Sequence, residues 1–186
     1  CVVIAAPLEC YQPDWMRQGH RIWGVAHQLY ALRAYNAAGM GDFSDLAELV
    51  GRVGTLGGAC VGVNPLHALS LAKPDDASPY SPSSRCFFNP LYIDLRAVPE
   101  CAAAPDVQPR TTANLIDYPT VAAHKLAALL RMFEQFERNG PTARRREFEA
   151  FVGGGGEALR SFAIHQVLGE QFGRAPSPVL ERCRDP

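Results

Sequence analysis

No run of apolar residues in this sequence approaches the roughly 18 that a helix needs to cross a bilayer. The first residues, CVVIAAPLECYQPD, also lack the basic-then-apolar layout of a secretion signal. No membrane partner is expected, and the expected location is cytoplasmic. An excess of one charge is missing too: 18 Lys and Arg stand against 19 Asp and Glu, which provides no basic field for nucleic acid. The run Arg144, Arg145, Arg146 contains no aromatic residue and reads as the solvated face of a helix.

Local signatures of chemistry are absent as well. There is no GxSxG, GxxxxGK[ST], HExxH or DxDxDG, so neither a serine-hydrolase elbow, a phosphate loop, a zinc helix nor a calcium loop is encoded. The six cysteines, at positions 1, 10, 60, 86, 101 and 183, form no CxxC pair and have no histidine at zinc spacing. Free thiols are expected, with no metal and no cofactor.

What is present is a globular composition, 47% hydrophobic and 20% charged over 186 residues, enough for one sizeable core. The chain starts at Cys1 and ends at CRDP, which reads as a piece of something longer. A short β-type run at residues 2–5 gives way to turn residues. From Arg21, RIWGVAHQLYAL is apolar nearly throughout and predicts a strand buried on both faces. GMGDFSDLAELVGRVGTLGG predicts a helix capped by Asp42, with Asp45 in its first turn and Phe43, Leu46, Leu49, Val50 and Val53 on one face. Gly54, Gly57 and Gly58 end that helix; a dinucleotide loop would need its glycines before a helix. ACVGVNPLHAL (59–69) predicts a second buried strand, giving a parallel βαβ unit whose ligand loops follow the strands' carboxyl ends.

Beyond Pro99 a polar connection leads to three amphipathic helices. The first, Thr120 to Phe136, carries a stripe of Val121, Leu126, Leu129, Leu130, Phe133 and Phe136. Two more, at 142–151 and 157–172, are separated by Gly153 to Gly156, which read as a helix break before they read as an anion cradle. Two parallel strands alone leave both sheet edges open, so either further strands follow residue 186, the simpler expectation, or the helices at 120–172 cover far more than usual.

The chemically promising stretch is SPYSPSSRCFFNPLYIDL (78–95). Prolines 79, 82 and 90 fix backbone angles, so the side chains between them lose less entropy on ordering. A stiffly held Tyr80 offers a flat apolar face and a hydroxyl, which suits a sugar ring with apolar C–H faces and a polar rim. The alternative is an ordinary loop anchor. His67, after the second strand, reads first as a satisfied core histidine, and Asp94 as a loop-orienting group.

Together with WGVAHQLYALR (23–33), GMGDFSDLAELV (39–50), VGVNPLHAL (61–69) and IDYPTVAAHKLAALLRMFEQF (116–136), this stretch resembles the amino-terminal part of the bacterial 4-α-glucanotransferases, the amylomaltases. The resemblance is collinear over most of the chain, with SPYSPSSR and NPLYID its most specific motifs. Ala26, His27, Asn36, Ala37 and Cys86 depart from the usual pattern.

The resemblance implies an α/β fold, a partial (β/α)8 TIM barrel of the first two strands and first helix with an inserted, mostly helical subdomain. It divides the chain into a linker or tail of a preceding domain (1–18), the start of the barrel (19–98) and the helical insertion between the second and third barrel strands (99–186). It implies a retaining transfer of α-1,4-glucan segments between maltooligosaccharides, in which an aspartate attacks the anomeric carbon and a glutamate protonates the departing glucan. The carboxylates that do this come from later strands, so no catalytic residue is assigned and the chain alone is expected to be inactive. The tyrosine of the SPY motif carries over onto Tyr80 as substrate-binding, with Ser78 and Pro79 shaping its loop and Asn64, Pro65 and His67 near the same end of the barrel. A second reading is a non-catalytic glucan-binding or purely structural piece.

Overall fold

After a single turn of helix, α1 (Asp14–Arg17), the chain enters β1 (Gly24–His27), which pairs in parallel with β2 (Cys60–Val63) across the helix α2 (Phe43–Thr55). This computed structural model describes residues 5–32, 39–101 and 115–172. The capping signal at Asp42 folds as the sequence predicts. Its carboxylate accepts from the N–H of Ser44 at 2.9 Å and of Asp45 at 3.0 Å, while the Asp45 carboxylate accepts from the Asp42 N–H at 2.9 Å. Three donors at the helix start, which the helix's own carbonyls cannot reach, are thereby satisfied. Gly41, just before the cap, lies so close to the preceding turn that a Cβ there would stand 2.1 Å from the Leu29 carbonyl oxygen; only glycine fits.

The β-α-β order and parallel register, Gly24↔Cys60 through His27↔Val63, agree with the sequence. The burial expected of both strands does not. Among the described residues β1 and β2 have only each other as sheet neighbours, and each shows one half-buried residue and three exposed ones. The first strand is also shorter than predicted, because the chain turns inward at a 3-10 turn, Leu29–Ala31, that buries Leu29. The second does not run on through residue 69. Pro65 lacks a ladder donor, and His67–Ala68 (β3) joins a separate antiparallel pair with β4 (Ser84–Phe88). Part of the stretch read as a loop is therefore strand, and NPLYIDL with the two residues after it forms two 3-10 turns, Pro90–Tyr92 and Leu95–Ala97.

The helix α3 (Tyr118–Asn139) starts at Asp117, whose carboxylate accepts from the Thr120 N–H at 3.1 Å and its hydroxyl at 2.7 Å. Its buried face is rotated from the expected one: Val121, Ala122, Lys125, Ala128, Met132 and Phe136 are inside, while Leu130 is 59% and Phe133 40% exposed. The small alanines let α3 lie close to the 3-10 turns. Lys125 is 1% exposed because its ammonium donates to the carbonyls of Leu91 at 2.7 Å and Ile93 at 3.1 Å. Burial pulls its pKa down from the ordinary lysine value, against the attraction of Asp42, Asp94 and Asp45. Leu29, Met40, Leu91, Tyr92, Val121 and Ala122 form the main core where these elements meet.

The helix α4 (Thr142–Phe172) continues through the glycine run. Of the four glycines only Gly156, at φ 49 and ψ -142, leaves helical geometry, so the expected break between two helices falls on that single residue. The run expected at 2–5 begins outside the described residues; Cys1, Asn36, Ala37, Cys183 and the connection at 102–114 also lie outside them.

Tyr118 packs edge-on to Tyr30 with ring centroids 6.5 Å apart. Burial, and then the neighbouring Tyr92 and Tyr30, push its phenol up to about 12 from 10.0. A raised folded-state value favours the neutral phenol in the fold. The stability it contributes is fully present below pH 10 and lost as the pH climbs toward 12. Urea midpoints measured across that interval should fall for the wild type and less steeply for Tyr118→Phe; equal slopes would contradict the assignment.

Candidate functional site

The site is built on the long connection between β3 and β4. Its base is closed by Ser83, whose N–H and hydroxyl both donate to the Ala68 carbonyl at 2.9 and 3.1 Å, and the pairing continues where the Asn89 N–H donates to Leu66 O at 3.0 Å. Within the connection, the Ser81 N–H donates to Ser78 O at 3.1 Å. That bond makes residues 78–81 a β-turn with Pro79 at its second position, where a ring-fixed φ favours the turn. Tyr80 takes the third position. Its side chain is 69% exposed and, among the described residues, has no hydrogen-bond or ring partner. Ser78 is exposed beside it and Pro79 half-buried.

Asn64 is placed differently. It is 6% exposed, its Oδ1 accepts from the Leu29 N–H at 2.7 Å, and its Nδ2 donates to Pro65 O at 2.8 Å and to the Tyr92 hydroxyl at 3.1 Å. Both amide protons are used within the protein. Burial raises the Tyr92 phenol above its ordinary value, partly offset by this bond. Pro65 is half-buried at the same junction, and His67 is half-buried opposite Phe88 in the β3–β4 pair. The structure thus separates two groups: Ser78, Pro79 and Tyr80 at an exposed turn, and Asn64, Pro65 and His67 at the junction under the hairpin.

The carboxylates around α2 are committed to turns and caps. Asp94 accepts from the Arg96 N–H at 3.0 Å and Nε at 2.9 Å. Burial works to raise its pKa, yet hydrogen bonds from Arg96 and Ser44 together hold it below the ordinary value. Asp45 moves the other way, raised chiefly by burial and further by the charge of Asp42. Among the described residues no three His, Cys, Asp or Glu side chains are grouped as a metal ion would need. No described helix is long and apolar enough to cross a membrane. What the site offers chemically is a flat, exposed phenol on a β-turn.

Sequence reasoning missed what supports the hairpin from outside. Gln166 of α4 donates from Nε2 to the Ser83 hydroxyl at 3.1 Å and to Leu69 O at 3.4 Å, and its Oε1 accepts from the Leu71 N–H at 3.5 Å. Phe162, one helical turn earlier, stacks on Phe87 of β4 with centroids 4.2 Å apart and planes 15° from parallel. A polar residue on the half-buried stripe of an amphipathic helix was the available signal.

Comparison with known proteins places the chain among its relatives. The 4-alpha-glucanotransferase family model matches residues 27–185. The 4-alpha-glucanotransferase of Haemophilus influenzae is 35% identical over 182 residues, covering 89% of this chain and 26% of that protein. The one from Mycobacterium tuberculosis is 36% identical over 184 residues, covering 87% and 25%. The crystal structure of amylomaltase from Corynebacterium glutamicum superposes with a TM-score of 0.75 at 29% identity, over 89% of this chain and 25% of that one. The chain therefore spans about a quarter of the length of the relatives it matches. With its family match running over most of its length, the chain belongs to the 4-alpha-glucanotransferase family.

Proposed function

We propose that this chain is the opening part of a 4-α-glucanotransferase barrel and that Tyr80 contacts an α-1,4-glucan there. The observation that carries the reading is the Ser78–Ser81 turn, which holds an unpartnered, exposed tyrosine at the end of a braced hairpin in a member of this family. β1, α2 and β2 are the first two strands and first helix of a (β/α)8 barrel, within a segment 19–98. Residues 1–18 are a linker or tail, and 99–186 a helical insertion.

In the reaction, an aspartate attacks the anomeric carbon of the donor glucan as a glutamic acid gives its proton to the departing oxygen. The acceptor's 4-hydroxyl then returns a proton to the glutamate and displaces the aspartate. None of these carboxylates is assigned to this chain. Its part is to bind: the Tyr80 ring covers a C–H face of glucose and its hydroxyl meets the rim. No cofactor or metal enters.

The test pairs activity with binding. Incubated with maltotriose, the purified chain should yield neither glucose nor longer maltooligosaccharides, while the Tyr80 ring resonances should shift on titration with maltohexaose and stay unmoved by cellohexaose. Robust turnover would overturn the placement of the catalytic carboxylates elsewhere. Unshifted Tyr80 resonances with maltohexaose would overturn its assignment to the glucan and leave a structural piece.

A further inference from the structure

The second half of α4 faces the β3–β4 hairpin with one stripe of residues. Past the break at Gly156 its half-buried positions include Leu159, Phe162, Gln166 and Gly169, spaced three and four apart, so they share a face. Each of the last three meets the hairpin or its connection. Phe162 stacks on Phe87. Gln166 reaches Leu69, Leu71 and Ser83. Gly169 lies where an added Cβ would be 3.8 Å from the Cβ of Ala72.

The bonding of Gln166 has a specific form. The side-chain amide presents a donor and an acceptor side by side, and Gln166 sets these against Leu69 O at 3.4 Å and the Leu71 N–H at 3.5 Å, where the chain leaves β3 and turns. Its donor also meets the hydroxyl of Ser83, the residue that closes the connection onto Ala68. One side chain therefore ties both ends of the segment that carries Tyr80. An apolar residue on this stripe could pack but would leave those groups unpaired.

We propose that this face of α4 is a brace that sets the position of Tyr80, with Gln166 and Phe162 as positioning residues for glucan binding. The proposal rests on Tyr80 contacting the glucan. It assigns the helical region a part in substrate affinity although none of its described residues lies at the exposed turn.

The experiment is a double-mutant cycle on the full 186-residue chain, read by maltohexaose affinity and by amide hydrogen exchange. Gln166→Leu should weaken maltohexaose binding about tenfold, the worth of the lost hydrogen bonds, and should speed exchange selectively in residues 69–83. In a Tyr80→Ala background the same substitution should change affinity by no more than about twofold. Ser161→Ala, on an exposed part of the same helix, should change neither readout. Full additivity with Tyr80→Ala, unchanged affinity in Gln166→Leu, or exchange accelerated evenly over the chain would each overturn the brace.

If Tyr80→Ala itself binds maltohexaose normally, the glucan reading of Tyr80 fails. The brace is then judged on exchange alone: selective acceleration in 69–83 upholds it, and none overturns it. Should Gln166→Leu not fold, Gln166→Glu gives an independent reading. A protonated carboxyl regains the donor for Leu69 O, so the variant's affinity should rise as the pH falls through the carboxyl range while the wild type stays flat. Parallel pH profiles would overturn the role given to that donor.

Discussion

Asn64→Ala should lower the stability of the fold by about 2 to 4 kcal/mol, because it strands a buried N–H and removes two donated bonds at once. The stranded group is the Leu29 N–H, whose acceptor at 2.7 Å is the Asn64 amide oxygen, and the abandoned partners are Pro65 O and the Tyr92 hydroxyl. Leu29 is fully buried, so water cannot take over at little cost. Asn64→Asp keeps the acceptor and loses the donors, and should fall between wild type and alanine. Urea unfolding of the three proteins decides the matter. A substrate-contacting Asn64 would instead leave the urea midpoint nearly unchanged and weaken glucan affinity, so the two measurements together separate the roles.

Tyr80→Ala should produce the opposite pair of results. The side chain is 69% exposed and has no described partner, so the urea midpoint should stay put. Glucan affinity should fall by roughly 1 to 3 kcal/mol, the range for removing an aromatic ring that covers apolar surface. In an active polypeptide that carries this chain, turnover at low maltooligosaccharide concentration should fall with it. Tyr80→Phe divides the effect: if ring stacking dominates, phenylalanine retains most of the affinity, and if the hydroxyl dominates it behaves like alanine. Unaltered affinity in the alanine variant would make Tyr80 a loop residue and nothing more.

Some of this layout was open to sequence reasoning because the signals were local. Asp42 and Asp45 lie three residues apart ahead of an apolar stripe, and a helix start needs nothing distant to recognise them. The parallel pairing of β1 with β2 followed from strand, helix, strand order. Other features depended on groups far apart in the chain. Lys125 sits where a leucine stripe was expected because two carbonyls about thirty residues earlier accept from it. The end of β2 at Val63 reflects the turn that Asn64 makes toward Leu29. Burial was overestimated for both parallel strands because an apolar run shows that a residue suits an interior and not whether anything covers it. At the site itself, the turn that carries Tyr80 was readable from Pro79, whereas Gln166 comes from a helix more than eighty residues away.

Gly156 divides α4 in a way that bears on cooperativity. Its φ of 49 and ψ of -142 fall where residues with a side chain are strained. The three glycines before it add little helical preference. Ahead of the break Phe148 packs against Phe136 and Phe133 of α3, and after it Phe162 and Gln166 hold the hairpin. The backbone between them transmits little, so each half takes its stability from its own partner. The two halves of α4 thus pack on different partners, one on α3 and the other on the hairpin whose connection carries Tyr80.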